Sequence, residues 1–198
     1  MPGKTPRIRL EGRFGELLDS GMRMCLLDVE TSFHSLRKSV EGIVGEAAST
    51  LFFESGFRGG ANYAQALVRN RAMRADEAGY RQAIREFSEG GFGAFQIREL
   101  DFAGGRACVT CREPMAFEAY AALTNHEVRK QPVCDFTRGV LVGLLAGLSQ
   151  REDLGGYEES CRATGAPECV FRIDQEEVTR SAAIARNLSR GATPPRRP

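Results

Sequence analysis

Three cysteines and a glutamate in the last third of the chain have the types and spacing of a metal site. Glu158, Cys161 and Cys169 follow the pattern Glu-x-x-Cys-x7-Cys, and Cys134 precedes them. Zinc accepts both thiolate and carboxylate, and three of one with one of the other close a four-coordinate shell. Such a shell has no position for water, so it supports a fold rather than a reaction. By analogy with zinc-finger peptides, binding contributes on the order of 10 kcal/mol to folding. Cys134 sits just ahead of a helix predicted to begin at Asp135, where the positive end of the helix dipole favours the thiolate. Cys161 and Cys169 flank the turn of a predicted hairpin, residues 157–161 and 169–173. On spacing alone a second reading stays open, that of three small cysteines buried in an ordinary core. There is also a difficulty of parity. In an ideal strand Glu158 and Cys161 face opposite sides, so joint ligation needs a bulge or a strand that ends near Ser160.

The elements that must position these residues follow from periodicity. Residues 1–20 show no clear period, and residues 22–29 read as a strand. Thr31 is the expected cap of a helix with Phe33, Leu36, Val40 and Ile43 on one face. That helix runs on or breaks near Gly45. Glycines 56, 59 and 60 predict a break over residues 55–60, with helix resuming over 61–73. Asp76 caps a helix that aligns Tyr80, Ala83, Ile84 and Phe87. Alternation then predicts strands at Phe95–Ile97 and at Ala107, Val109 and Cys111, joined through Gly104-Gly105. A short helix over 117–123 and a strongly apolar one from Asp135 precede the hairpin. A last helix over 176–188 leads into a Pro- and Arg-rich tail expected to be disordered. The domain organisation expected is an N-terminal extension (1–20), one ligand-binding domain (21–175), and a C-terminal helix and tail (176–198).

Composition narrows the classes. The formal net charge is +1, so nothing points to direct nucleic-acid binding or an anionic membrane surface. Residues 139–148 form the longest apolar run, too short to span a bilayer. The first residues lack the apolar stretch of a secretory signal, and the expectation is a cytoplasmic protein. In that compartment six cysteines speak against a disulfide framework. There is no G-x-x-x-x-G-K-[ST] motif and no G-x-G-x-x-G after a strand, hence no nucleotide site of either kind.

Residues 134–143, Cys134-Asp135-Phe136-Thr137-Arg138-Gly139 through Gly143, and residues 157–171, Tyr157-Glu158-Glu159-Ser160-Cys161 through Cys169-Val170-Phe171, resemble the 4-vinyl reductase domain. The resemblance implies an α/β (α+β) fold, an antiparallel sheet packed against several helices, related to the TRAPP subunits of a vesicle-tethering complex. It implies a structural zinc ion held by Cys134, Glu158, Cys161 and Cys169, pinning the C-terminal hairpin. It further implies the sensing of a small hydrophobic or aromatic ligand, as in phenol- and xylene-responsive activators, a homodimer, and a protein partner for output. Glu113 and Ala116 stand where that family often has tryptophan and serine, while Glu118-Ala119 matches it.

Other residues carry two readings each. Phe52, Phe53, Phe57 and Tyr63 surround the glycine break and either line a ligand cavity or fill the core. Gly139, Gly143 and Gly147 give one helix a smooth face, for close packing inside the domain, a pocket wall or a dimer seam. Cys108 and Cys111 stand three apart, but strand parity points them to opposite faces, as structural cysteines. His34 and His126 lack a catalytic partner at a diagnostic spacing. Arg69, Arg71 and Arg74 read as a solvated face. Three functions follow: a non-catalytic small-molecule sensor domain, a dimeric assembly or adaptor protein, and an accessory factor or reductase of tetrapyrrole biosynthesis.

Overall fold

The computed structural model of the chain describes residues 8–11, 14–17, 22–24, 27–127 and 129–177. The C-terminal helix and tail expected after residue 176 lie, beyond Glu177, outside the described residues. Within the supposedly patternless start, β1 (Ile8–Glu11), β2 (Phe14–Leu17) and β3 (Met22–Met24) form an antiparallel meander. The second sheet holds β4 (Phe95–Asp101), β5 (Arg106–Cys111), β6 (Leu154–Ser160) and β7 (Cys169–Gln175) in the order β4-β5-β7-β6, all antiparallel. Among the described residues five helices accompany it: α1 (His34–Val44), α2 (Ala47–Arg69), α3 (Glu77–Phe87), α4 (Phe117–Thr124) and α5 (Asp135–Ser149).

The strand expected over 22–29 stops early. β3 ends at Met24, and the Asp28 carboxylate accepts the N–H groups of Glu30, Thr31 and Ser32 at the head of a wide turn, Val29–Phe33, that leads into α1. Asp28, not Thr31, is therefore the cap. A carboxylate receiving three amides outcompetes a single hydroxyl for the positive end of the helix. The facing of α1 also differs from its pattern. Phe33 is buried, but Leu36 and Ile43 are 51% and 83% exposed while Arg37 is buried. Two carboxylates in the interior require a cation, and that requirement overrides the apolar periodicity.

Of the two courses open at Gly45, running on or breaking, the chain breaks: Gly45, at φ 61°, ends α1. No break follows at 55–60, however: α2 runs unbroken through Gly56, Gly59 and Gly60. The reason lies across the interface. A methyl group on Gly56 would sit 2.1 Å from the Phe136 carbonyl oxygen of α5, and one on Gly60 2.5 Å from that of Val140. In return, methyl groups on Gly139 and Gly143 would meet the Phe53 and Phe57 carbonyl oxygens at 2.1 Å. Each glycine costs about 1 kcal/mol against alanine in a helix interior, and backbone-to-backbone packing of α2 on α5 offsets it. The smooth face of α5 is thus occupied by the chain's own α2.

α5 is the centre of the molecule, buried along nearly its whole length between α2 and the sheet. Tyr80, Ala83, Ile84 and Phe87 of α3 are buried, as their spacing predicts, and the Tyr80 hydroxyl donates to the Leu141 carbonyl at 3.3 Å. The Asp76 cap is present, accepting from Gly79 N. Inward positions of the sheet are Ala107, Val109 and Cys111 on β5 and Cys169, Phe171 and Ile173 on β7. Among the described residues no helix is long and apolar enough to cross a membrane.

Candidate metal centre

Three elements converge on one buried point. β6 and β7 pair with Glu158 opposite Phe171 and Ser160 opposite Val170, so Glu159 is the extra residue of a bulge. The bulge shifts the parity by one step and brings Glu158 and Cys161 to the same side. Cys161 follows the end of β6, and the chain turns through a tight helical turn, Arg162–Thr164, before Cys169 opens β7. This connection is held locally: Thr164 Oγ1 donates to the Cys161 carbonyl at 2.9 Å, Ser160 Oγ to that of Glu168 at 2.9 Å, and Gly165 takes φ 89°. The third element is the N-terminus of α5, where Cys134 is the last residue before the first turn.

Ligand atoms of Cys134, Glu158, Cys161 and Cys169 all lie within 4.8 Å of one another. The three cysteines are 0% exposed and Glu158 is 7% exposed. Cys134 Sγ lies 3.9 Å from both Cys161 Sγ and Cys169 Sγ. Tetrahedral zinc with bonds of about 2.3 Å places sulfurs roughly 3.8 Å apart, so the spacing fits that ion. Two backbone amides support the set. Arg162 N donates to Cys169 Sγ at 3.3 Å and Cys134 N to Glu158 Oε2 at 2.9 Å, which stabilises negative charge on both ligands. Burial pushes Cys134 and Glu158 well above their ordinary pKa values. Cys161 moves the other way, held low by hydrogen bonds from the Cys134 and Cys169 thiols. Four acidic groups in dry space cannot all ionise without a cation among them. The donor set can therefore hold a metal ion, and it is closed.

A second, charged cluster secures the loop that carries Cys134. Arg37 donates to the Val133 carbonyl and, at 2.8 Å, to Asp135 Oδ2, thereby bracketing Cys134 on both sides. Glu118, buried on α4, accepts Phe136 N at 2.9 Å and Thr137 N at 2.8 Å, capping α5 from a distance, and lies 3.3 Å from the Arg37 guanidinium. Burial pushes Glu118 up to about 7, against the pull of Arg37. Sequence reading did not assign these roles. A lone acid in the otherwise apolar α4 was a signal for Glu118; Arg37 had none.

Of the residues expected to line a ligand site, Phe53, Phe57, Gly139 and Gly143 meet where α2 packs on α5. Phe52 is buried in a small cluster with Phe33, Ala48 and Ala121. Phe53 lies under the Arg138 guanidinium, 4.6 Å from ring centroid to carbon. Phe53, Phe57 and Tyr63 pack partly buried against the main core, and the Tyr63 hydroxyl meets Glu86 at 2.9 Å. Glu113 points outward to Arg162 at 2.6 Å. The fold also assembles a continuous aromatic seam that sequence reading missed. Phe117 of α4 contacts Phe33, Phe92 and Phe136 at centroid distances of 4.8, 5.6 and 6.0 Å, and Phe92 stacks on Phe87, which stacks on Phe95. Phe95 reaches Phe171, the residue opposite Glu158. The seam therefore runs from the turn before α1 to the strand position opposite Glu158. Cys108 and Cys111 are both buried, on opposite faces of β5, and burial pushes Cys111 up to about 12. His34 lies 3.6 Å from Glu127, His126 is exposed, and so are Arg69, Arg71 and Arg74.

No family model and no curated protein match the sequence. Among solved structures, the fold is that of the phenol-responsive sensory domain of the transcription activator PoxR, solved with phenol. The TM-score is 0.73 at 21% identity, over 95% of this chain and 92% of that one. A vinyl-4-reductase family protein from Methanocaldococcus jannaschii aligns with a TM-score of 0.48 at 16% identity, over 71% of this chain and 74% of that one. Subunit 3 of a trafficking protein particle complex from Naegleria fowleri, covalently bound to palmitic acid, aligns at 0.47 and 12% identity, over 72% and 94%. The likeness to that sensory domain is one of fold, and it reaches well beyond residues 134–171.

Proposed function

We propose that this chain is a zinc-stabilised sensory domain that binds a small hydrophobic or aromatic molecule, without catalysis, in the cytoplasm. The observation that carries this reading is the closed donor set of Cys134, Glu158, Cys161 and Cys169 at the end of an aromatic seam, in the fold of a phenol-responsive domain. Those four residues would hold the zinc ion, which when bound supplies a cross-link between the C-terminal hairpin and α5. The seam would supply the ligand's seat: Phe92, Phe117 and Phe136 are half-buried and present ring faces and edges to an apolar guest. The ligand-binding unit corresponds to residues 21–175, it works as a homodimer, and its output passes through a partner protein.

Native mass spectrometry of the purified protein, with zinc analysis on the same sample, tests this. One zinc per chain and a retained or titratable aromatic molecule are expected, with Phe117→Ala losing the molecule and keeping the metal. A metal-free protein whose stability is unchanged by Cys134→Ser overturns the metal assignment. No shift in melting temperature with any of a panel of phenols and alkylbenzenes overturns the sensory one. A second reading, an assembly or adaptor protein, is favoured by the exposed apolar residues of α1; a bare dimer in the same spectrum would select it.

A further inference from the structure

Cys111 lies beside the metal centre without belonging to it. On β5 it stands directly opposite Cys169 of β7 in the antiparallel register, and both residues are 0% exposed. Residues paired in this way point to the same face of the sheet, with Cα atoms about 4.5–5.5 Å apart. A disulfide needs Cα atoms about 4.4–6.8 Å apart, so the backbone already meets its requirement. The pairing belongs to the strands and not to the ion: Thr110 opposite Val170 and Val109 opposite Phe171 continue the same register.

The two thiols differ in what holds them. Cys169 is one of the four donors, and Cys111 is outside the set. Cys111 Sγ donates to the Pro114 carbonyl at 3.4 Å, and a methyl group on Gly93 would lie 2.8 Å from the same sulfur. A thiol is a weak donor, and rotation about one side-chain bond frees the sulfur from this seat. A thiol that no ion would hold, paired with one that an ion would, is the arrangement of a resolving cysteine beside an oxidisable one. Cys108 of the same strand is the contrast. It faces Glu99 and Arg172 across the strands on the other side of the sheet, and neither is a thiol.

We propose that Cys111 and Cys169 are an oxidisable pair through which a peroxide opens the metal centre. The Cys169 thiolate attacks one peroxide oxygen, the O–O bond breaks, and a sulfenic acid forms on Cys169 as hydroxide leaves. Cys111 Sγ then attacks the Cys169 sulfur. The S–S bond forms, the S–O bond breaks, and the departing hydroxyl carries the Cys111 proton away as water. One thiolate, one thiol and one hydrogen peroxide give one disulfide, one water and one hydroxide, with two electrons passing from sulfur to oxygen. Cys134, Glu158 and Cys161 are left as three donors where four closed the shell, so the hairpin loses its cross-link to α5. That consequence rests on the zinc reading above, whereas the disulfide is detected whether or not an ion is bound.

Hydrogen peroxide added to the purified full chain tests the pair, followed with a zinc-indicator dye and by mass spectrometry of the unreduced tryptic digest. The expected product joins residues 107–112 to residues 163–172 through Cys111 and Cys169, with zinc released in step with the disulfide and dithiothreitol reversing both. Cys111→Ser and Cys111→Ala are each expected to keep zinc at rest and to slow its release by peroxide about 10-fold or more, while Cys108→Ser behaves as the wild type does. Release as fast in both Cys111 variants as in the wild type overturns the proposal. So does a disulfide joining two of the three ligand cysteines, or a wild type that stays fully reduced under peroxide. A chain purified without zinc that still forms the Cys111–Cys169 bond supports the pair and counts against the zinc reading alone.

Discussion

The Cα of Gly139 on α5 packs so closely on α2 that a methyl group added there would lie 2.1 Å from the carbonyl oxygen of Phe53. The contact is backbone against backbone, so neither side can yield by rotating a side chain. Gly139→Ala should therefore push the two central helices apart and cost about 2 kcal/mol or more. Gly59 is the internal control. It lies in the same α2, is exposed, and a methyl group added to it would meet nothing within 4 Å. Gly59→Ala should stabilise by about 1 kcal/mol through helix propensity alone. Urea midpoints of the two variants, moving in opposite directions, are the check.

Arg37 is the cation for the carboxylates of Glu118 and Asp135. Arg37→Met removes it and leaves both acids buried, which should cost about 3–5 kcal/mol. The loss should extend to the metal centre, because the same guanidinium brackets Cys134. Thermal melts with zinc stoichiometry should show both the lower midpoint and a weaker hold on the ion.

Glu118 gives a pH dependence whose sign is set by its burial. Its folded pKa is raised to about 7, above the ordinary carboxylate value of 4.5. The folded state therefore binds more protons than the unfolded one between those values, and stability falls as pH rises through that window. The drop attributable to Glu118 is on the order of 3 kcal/mol. Denaturant midpoints from pH 4.5 to 7.5 should show this decline, and Glu118→Gln should flatten it.

Removal of the metal should separate the cysteines into two classes. Cys134→Ser, Cys161→Ser or Cys169→Ser should abolish stoichiometric zinc and lower the melting temperature, as a chelator should in the wild type. Cys108→Ser and Cys111→Ser should leave zinc content unchanged, since neither sulfur belongs to the four-residue set. Inductively coupled plasma analysis of the five variants distinguishes the classes directly.

Much of the site was legible before any tertiary structure. Glu158, Cys161 and Cys169 could be placed because a hairpin is a local object and its turn residues and alternation are written in consecutive positions. The α3 face of Tyr80, Ala83, Ile84 and Phe87 was readable for the same reason, as were the start of α5 at Asp135 and the cap at Asp76. Strand parity called for a bulge or a strand end near Ser160, and both are present, although the residue that bulges, Glu159, was not readable.

Tertiary structure decided the features whose energy depends on a distant partner. Glycines 56, 59 and 60 have the composition of a break, yet α2 continues through them because Gly56 and Gly60 let α5 approach to backbone contact. Arg37 has the position of a surface residue, yet it is buried because Glu118 and Asp135 come from elements far along the chain to meet it. The aromatic seam is assembled from the turn before α1, from α3, α4, α5 and the sheet, and no window of sequence contains it. Local periodicity specifies which elements form. Which glycine is a hinge, which charge goes inside and which rings meet depends on the free energy of contacts across the fold, and those exist only once the chain has closed on itself.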